Sequence, residues 1–253
     1  MRSHPLVLYY HAFGTRDGGS DPHNLFVPVE AFTAQLDMLR GHGWQPLSLA
    51  AYLAGWETGR WPRRSFLLTI DDGYTSTLAA APVLDARGIE AVVFLPGGLV
   101  GGTSSWMPAM PDEPLLDADE IRQLLAHGLT IGVHGMDHTL LVGRSPTELH
   151  EQCVTARELL AEVTGEPLRT FAYPAGQFDG AALAAVEAAG YAAAFSTSRA
   201  AGRFAIPRID VNATDTAITF RLKLSRWWPG ALSMLSRAPR VRAAAHHLVG
   251  SGR

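Results

Sequence analysis

Short apolar runs alternate with amphipathic segments along the chain from Leu6 to Ser196. Ser65–Ile70 is a mostly apolar run of strand length, typical of a strand that is buried on both faces. The segment Val29–Gly41 instead repeats its apolar residues at helical spacing, which predicts a helix with one apolar face. This alternation predicts parallel strands that are connected by helices.

The same pattern predicts six strands and six helices. The predicted strands are Leu6–Tyr10, Ser65–Ile70, Glu90–Leu95, Leu129–Val133, Thr170–Tyr173 and Tyr191–Ser196. The predicted helices are Val29–Gly41, Leu47–Trp56, Thr77–Arg87, a segment from Asp117 to Gly128, a segment from Ser145 to about Val163, and Gly180–Ala189. These units match a (β/α) barrel in number and order, although an open doubly wound sheet has the same alternation.

Charge divides the chain into an acidic body and a basic tail. All 24 acidic residues lie at or before Asp215, so residues 1–215, with 14 basic residues, carry a net charge of −10. The seven basic residues that follow give the tail a charge of +7. Because no repeat or linker interrupts the body, we expect one domain over residues 1–215 and a basic helical extension over residues 216–253.

The extension allows two interpretations. Its aromatic and apolar residues, interspersed with arginines, would suit contact with an anionic membrane. The same residues could instead pack on the acidic body and neutralise part of its charge. Pro229 and Pro239 interrupt any long helix, which favours the second interpretation.

Composition excludes several classes of protein. Apolar residues make up 47% and charged residues 18%, which is typical of a globular chain rather than a disordered one. No apolar run is long enough to span a bilayer, and the acidic body lacks the basic face of a nucleic-acid-binding protein. The N-terminal residues hold no apolar run of secretory-signal length, so we expect a cytoplasmic protein, peripheral at the membrane if the tail lies there. With Cys153 as the one cysteine, any metal must be held by histidine and carboxylate.

A pair of carboxylates follows one of the predicted strands. Asp71 and Asp72 come directly after Ser65–Ile70 and directly before Gly73. Adjacent side chains at a strand end point in different directions, so one carboxylate could bind a metal while the other acts on water. An ordinary turn is the alternative, with an aspartate capping the next helix and the glycine in the left-handed conformation.

Two histidines follow another predicted strand. His134 and His138 are four residues apart, and on a helical turn this spacing places both imidazoles on one side, near enough to share Zn²⁺. Either histidine alone could instead be an ordinary buried polar residue. Together with Asp72 they form a His₂–carboxylate set with open coordination positions, as expected of a catalytic zinc site.

A third segment, Phe171–Gly176, ends a predicted strand with a Pro-then-Gly turn. It could be plain turn chemistry, or it could present a backbone N–H to a developing oxyanion. All three segments follow strands, and the carboxyl ends of parallel strands meet at one edge of a sheet. We therefore expect ligand binding and chemistry at that edge.

Taken together, these segments resemble the polysaccharide deacetylase domain, also known as the NodB homology domain or carbohydrate esterase family 4. The sequences LLTIDDGY at Leu67–Tyr74, IGVHGMDH at Ile131–His138 and FAYPAGQFD at Phe171–Asp179 are similar to the first three motifs of the family, in the same order. The chain most resembles the variant with an N-terminal YH strand, as in poly-N-acetylglucosamine deacetylases, here LYYH at Leu8–His11. The resemblance implies an α/β fold, the deformed (β/α)₇ barrel of this family.

The resemblance also implies a role for individual residues. Asp72, His134 and His138 would bind a divalent metal, with Zn²⁺ expected and another divalent transition metal as the alternative. Asp71 would be the general base that takes a proton from water. His11 would be the general acid toward the leaving amine, with an ordinary histidine at a strand end as the alternative.

The resemblance implies one more role, in the third motif, where the backbone N–H of Ala175 would hold the oxyanion.

The sequence departs from the family pattern at two positions. Gly135 replaces the usual Ser or Thr after the first histidine, and Ala172 replaces an arginine that pairs with the catalytic aspartate. Arg208 is our candidate substitute for that arginine, with a surface arginine as the alternative. Tyr173 and Arg208 are further candidates for contact with the substrate or with the metal-site residues.

The function that follows from these residues is a metal-dependent N-deacetylase. Its substrate would be an N-acetylated amino sugar in an oligosaccharide, a glycolipid or a sugar-containing metabolite. Two alternatives remain open: hydrolysis of another non-peptide amide or imide bond, and a catalytically silent relative that only binds saccharide.

Overall fold

The computed structural model describes residues 4–16, 20–110, 112–197 and 202–225. Its centre is a curled sheet of eight strands, in which every pair of neighbouring strands is parallel. The strands of this sheet are β1 (Leu6–Tyr10), β4 (Gln45–Pro46), β5 (Ser65–Ile70), β6 (Ala91–Leu95), β7 (Thr130–Val133), β8 (Thr170–Ala172), β9 (Ala193–Phe195) and β10 (Ile209–Asp210). Two further strands, β2 (Ala12–Phe13) and β3 (Phe26–Val27), form a separate parallel pair.

Helices connect most of the strands. They are α1 (Val29–Gly41), α2 (Leu49–Thr58), α3 (Ala81–Asp85), α4 (Ala118–Ala126), α5 (Pro146–His150), α6 (Ala156–Thr164), α7 (Gly180–Ala188) and α8 (Ala217–Lys223). The helices predicted from Asp117 and Ser145 both begin with a capping box, each with a glutamate at the third helical position. These caps satisfy backbone N–H groups that have no acceptor within the helix.

The order of the strands decides between the two architectures that the sequence left open. Seven strands follow one another as β10-β1-β5-β6-β7-β8-β9, so the sheet runs around in chain order and does not reverse at its middle. The segment after β9 links the two edges, because Ile206 bridges Phe195 of β9 while β10 pairs with β1. The fold is therefore the distorted β/α barrel expected from the sequence, and the open doubly wound alternative is wrong.

Alternate residues of the central strands pack on opposite faces of the sheet. Leu67 and Val92 lie in one apolar cluster, which helix α2 completes. Leu68 and Val93 lie in a second cluster, to which helices α1 and α4 contribute. All six residues of β5 are buried, as expected of a parallel strand covered on both faces.

Two predicted helices differ from the structure. The segment predicted as one helix over Thr77–Arg87 is a 3₁₀ turn, Thr75–Ala79, followed by the short helix α3. The helix predicted from Ser145 to about Val163 is continuous, but five residues, Glu151–Thr155, form a π-helical turn between α5 and α6. Such turns are rare and often occur at functional sites.

The start of the predicted C-terminal extension packs on the body. In α8, Phe220 is buried, and the Lys223 ammonium lies 2.6 Å from a carboxylate oxygen of Asp215 and 3.3 Å from one of Asp210. The rest of the extension, residues 226–253, lies outside the described residues, so its predicted helical form stays a prediction. Among the described helices, none is both long and apolar enough to cross a membrane.

Candidate metal and catalytic site

The carboxyl ends of four strands meet around one cavity of about 230 Å³. His11 follows β1, Asp71 and Asp72 follow β5, His134 follows β7, and Ala175 follows β8. All five residues line this cavity, as does His138. The other wall residues are Tyr9, His23, Leu25, Met107, Gly176 and Thr197. These candidate residues therefore lie together at one edge of the sheet, as their positions after parallel strands predict; their roles stay predictions.

Asp72 lies between the two imidazoles of the predicted metal site. Its Oδ1 atom is 3.4 Å from Nε2 of His134 and 3.3 Å from Nε2 of His138. One ligand atom from each residue lies within 4.8 Å of the other two. Two ligands that are each about 2.1 Å from a tetrahedral ion lie about 3.4 Å apart, so this spacing suits a cation such as Zn²⁺.

The hydrogen bonds around the cluster also suit a cation. Nδ1 of His134 donates to the carbonyl oxygen of Ala172 at 2.7 Å. In the neutral ring the other nitrogen, Nε2, therefore carries no proton, and its lone pair faces Asp72. The Oδ1 atom of Asp72 is buried and accepts no hydrogen bond from the described residues. Acceptor atoms that face one another without a proton between them repel, and a bound cation removes that repulsion.

The charges around the cluster also favour a cation between Asp72 and the two histidines. Burial raises the pKa of Asp72, but the two neighbouring imidazoles outweigh it and hold that pKa well below its ordinary value. Burial lowers the pKa of His134, but the carboxylates of Asp72 and Asp71 outweigh it and raise that pKa above its ordinary value. The residues present therefore fit a divalent metal.

Asp71 pairs with Arg208 and is not among the three converging ligands. The guanidinium makes two parallel hydrogen bonds, from Nη1 to Oδ1 at 2.7 Å and from Nη2 to Oδ2 at 2.6 Å. The contact predicted for Arg208 is thus present, and the alternative of a surface arginine is wrong because its side chain is fully buried. Arg208 also donates to Thr69 Oγ1 and to the Ser196 carbonyl, and its guanidinium lies over the Tyr9 ring.

This ion pair keeps Asp71 charged. Burial raises the pKa of the carboxyl, but Arg208, with smaller contributions from His134 and His11, outweighs burial and lowers the pKa below its ordinary value. Each carboxylate oxygen keeps a second lone pair after accepting from the guanidinium. Asp71 can therefore still accept a hydrogen bond from a group in the cavity.

The segment from His134 to His138 is a loop, so the helical turn suggested by the spacing of the two histidines is wrong. Gly135 has a left-handed backbone with φ of 80°, and His138 is left-handed with φ of 63°. Two more non-glycine residues of the site are left-handed, Asp72 with φ of 72° and Ala175 with φ of 52°. Each such residue costs about 1–2 kcal/mol, and strain of this kind concentrates at functional sites.

A glutamine from the π-helical turn holds the same loop. The Gln152 side chain accepts from the Met136 backbone N–H at 2.8 Å and donates to the Asp137 carboxylate at 2.9 Å. A Cβ on Gly135 would lie only 2.6 Å from Gln152 Oε1. Gln152 therefore fills the space beside Gly135 and holds the His134–His138 loop by two hydrogen bonds.

The structure also places the remaining candidates. Ala175 is the second residue of the 3₁₀ turn Pro174–Gly176, where a backbone N–H has no acceptor within the helix, and it is exposed at the cavity. His11 is partly buried and lies edge-on to the Tyr9 ring at 5.4 Å. Tyr173 does not reach the cavity wall, because its ring is fully buried and its hydroxyl donates to the Phe204 carbonyl at 2.9 Å.

Several residues of the site have no signal in the sequence. Trp106 stacks on the His138 ring, although it lies in a long loop between β6 and α4. His23 lines the cavity although it lies in no helix or strand and has no second histidine at ligand spacing. Gln152 lies in a segment whose sequence predicts a helix and no functional role. The contacts of these residues depend on how distant loops meet, so no local pattern identifies them.

A protein-family model matches the part of the chain that contains Asp72, His134 and His138. A family model described as "Polysaccharide deacetylase" matches residues 58–194, more than half of the chain. "Putative polysaccharide deacetylase YxkH" of Bacillus subtilis (strain 168) is 27% identical over an alignment of 213 residues, and the match covers 81% of this chain and 71% of that protein.

Solved structures show the same fold. A Streptococcus pyogenes deacetylase, PplD, in complex with acetate, superposes with a TM-score of 0.77 at 18% identity, covering 89% of this chain and all of that one. IcaB from Ammonifex degensii superposes with a TM-score of 0.72 at 23% identity, covering 90% of this chain and 98% of that one. At these identities the likeness concerns the fold alone.

Proposed function

Because this chain belongs to the polysaccharide deacetylase family, we propose that it is a metal-dependent hydrolase that removes the N-acetyl group from an N-acetylated amino sugar. The observation that carries the proposal is the position of Asp72, with Oδ1 at 3.4 Å and 3.3 Å from the Nε2 atoms of His134 and His138. These three residues hold the metal, and Zn²⁺ fits their donor set. Asp71 lines the same cavity beside them.

Amide hydrolysis at neutral pH needs an activated water. A divalent cation, when bound, supplies Lewis acidity, which makes water a nucleophile at about pH 7 and polarises an acyl oxygen. Asp71 accepts the proton that this water loses as its oxygen bonds to the acetyl carbon. Arg208 keeps that carboxylate ionised and fixes its plane before the reaction.

Two further groups act on the amide itself. The Ala175 backbone N–H donates to the acyl oxygen as negative charge develops on it. His11 gives a proton to the amine nitrogen when the carbon–nitrogen bond breaks, so that the products are acetate and the free amino sugar. His11 directly follows β1 and lines the cavity, which supports the proposal that the chain belongs to the YH variant of the family.

The family description and the match to a putative polysaccharide deacetylase of Bacillus subtilis support a saccharide substrate, and we propose an oligosaccharide, a glycolipid or a sugar-containing metabolite. A cytoplasmic location, with the tail on a membrane or on the body, stays a prediction.

The test is acetate release from N-acetylglucosamine oligomers by the metal-loaded full chain, with and without a chelator. We expect release that stops with the chelator and is absent in His138→Ala. His127→Ala is the matched control, since His127 contacts Asp85 on the surface and not the cavity. Saccharide binding that persists with the chelator, without any acetate released, would show a silent relative. Release of acyl groups only from amides that carry no sugar would show a different hydrolase.

A further inference from the structure

The two histidines of the proposed metal site are held in different ways. His134 is oriented by a hydrogen bond from Nδ1 to the Ala172 carbonyl at 2.7 Å, and its side chain is almost fully buried. Within the described part of the chain, no hydrogen bond to the His138 ring is found, and its side chain is 13% exposed. Histidine ligands of metals nearly always have their second nitrogen fixed by an acceptor. Another contact must therefore orient His138.

That contact is an aromatic stack. The Trp106 indole lies parallel to the His138 ring, with a centroid distance of 4.6 Å and an angle of 17° between the planes. The indole also lies against the Tyr74 ring, at 6.5 Å, two residues after Asp72. An imidazole whose second torsion is not fixed turns easily between two broad orientations. A parallel indole face stops this rotation on one side.

The loop that carries Trp106 is anchored to both metal-ligand loops. Four backbone hydrogen bonds make this connection: Gly97 N to Gly135 O at 2.9 Å, Gly98 N to Met136 O at 2.8 Å, Leu116 N to Gly73 O at 2.9 Å, and Thr75 N to Pro114 O at 3.0 Å. Two of them reach the loop of His134 and His138, and two reach the loop of Asp72. The indole is thus positioned by the same backbone that sets the separation of the ligands.

The interior of the Trp106 loop is braced as well. Within it, Ser104 donates its backbone N–H to the Glu113 carbonyl at 2.9 Å, and Leu115 donates to the Gly102 carbonyl at 3.0 Å. Trp106 packs with Met107 against a cluster that contains Tyr74 and Leu115. The indole therefore rests on a supported platform, as a positioning contact requires.

We propose that Trp106 is a positioning residue that fixes the His138 imidazole in its metal-binding orientation. This inference rests on the proposed function, because it assumes that Asp72, His134 and His138 bind a metal. Loss of a residue that orients a ligand typically weakens metal affinity by about 10- to 100-fold. Trp106→Ala should show a loss of that size, and Trp106→Phe should keep most of the affinity because a flat ring remains.

Metal affinity is measured on the full chain by calorimetric titration with Zn²⁺ in the absence of substrate. Trp61→Phe is the matched control, because Trp61 also contacts a histidine, His4 at 4.7 Å, but lies outside the site. A second readout is the quenching of tryptophan fluorescence by bound Co²⁺. We expect the part of the quenching that comes from the indole beside His138 to disappear in Trp106→Phe and to persist in Trp61→Phe.

The outcomes separate this inference from the proposed function. If the wild-type chain binds no metal, both are wrong. If the wild type binds Zn²⁺ and folded Trp106→Ala binds it equally well, the inference alone is wrong. Should Trp106→Ala fail to fold, Trp106→Leu and Trp106→Phe decide the question, since equal affinity in both would show that ring stacking is irrelevant. A raised KM with unchanged metal affinity would show that Trp106 contacts substrate instead, and would also overturn the inference.

Discussion

Arg208 and Asp71 form a two-point ion pair across 137 residues of sequence, with N–O distances of 2.7 Å and 2.6 Å. Both side chains are almost fully buried, and the pair lies at the junction where the segment after β9 returns to β1. A buried carboxylate without such a partner would take up a proton. The closing segment of the barrel thus sets the charge of the proposed catalytic base.

Replacing Arg208 should change the pH dependence of the reaction. In Arg208→Met, burial is left as the largest influence on Asp71, so the pKa of its carboxyl should rise above the ordinary value of 3.8 instead of lying below it. We expect the acidic limb of the kcat/KM profile to move to higher pH. The profile is measured beside that of Arg208→Lys, which keeps the charge and should shift less. An unmoved limb in Arg208→Met would show that the limb does not report Asp71.

The same substitution should make stability depend on pH in a defined direction. In the wild type the lowered pKa of Asp71 contributes stability that is present above about pH 3.8 and is lost as the pH falls through the folded value. Arg208→Met loses this contribution, and breaking a buried pair costs about 3–5 kcal/mol. The difference in free energy of unfolding, measured by denaturant titration, should be larger at pH 7 than at pH 3. A difference that is constant with pH would contradict this.

Asp71→Asn should separate metal binding from catalysis. Asparagine cannot accept the proton from water, so we expect turnover to fall by about 100- to 10,000-fold. Zn²⁺ affinity should change little, because Asp71 is not one of the three converging ligands. Asp72→Asn is the matched comparison, and in that variant we expect Zn²⁺ affinity itself to be lost. Near-wild-type turnover in Asp71→Asn would remove Asp71 as the base.

His11→Ala should discriminate between leaving groups. An amine must be protonated as it departs, whereas an activated aryloxide needs little help. The variant should therefore slow release of acetate from N-acetylated sugar more than from an aryl acetate. His127→Ala, which changes an imidazole away from the cavity, serves as the control. Equal losses on both substrates would count against an acid role for His11.

Alanine substitutions at two glycines test whether Gln152 supports the His134–His138 loop. Gly135→Ala places a Cβ 2.6 Å from Gln152 Oε1 at a backbone φ of 80°, whereas Gly143→Ala meets no atom within 4 Å at a φ of 74°. Both variants should lose about 1–2 kcal/mol of stability from the left-handed backbone. We expect only Gly135→Ala to weaken Zn²⁺ binding in calorimetry, because only there must Gln152 move. Equal metal affinity in the two variants would contradict that role.

Patterns among neighbouring residues were enough to predict most of the strands and helices and the residue types of the candidate site. Strand β5 and helix α1 have the predicted bounds, since an apolar run or a helical repeat is written in adjacent residues. The predicted metal ligands come together for a related reason. They follow strands, and parallel strands bring their carboxyl ends to one edge whichever loops join them.

The contacts that hold those residues in place could be identified only in the folded chain. The pairing of Arg208 with Asp71, the stacking of Trp106 on His138 and the support from Gln152 each join segments that are distant along the chain. Closure of the sheet as a barrel likewise depends on the segment after β9 reaching β1. Local patterns record which face of an element is buried, whereas such contacts depend on the path of whole loops. That path is fixed by packing and hydrogen bonding across the folded chain, which no stretch of sequence contains alone.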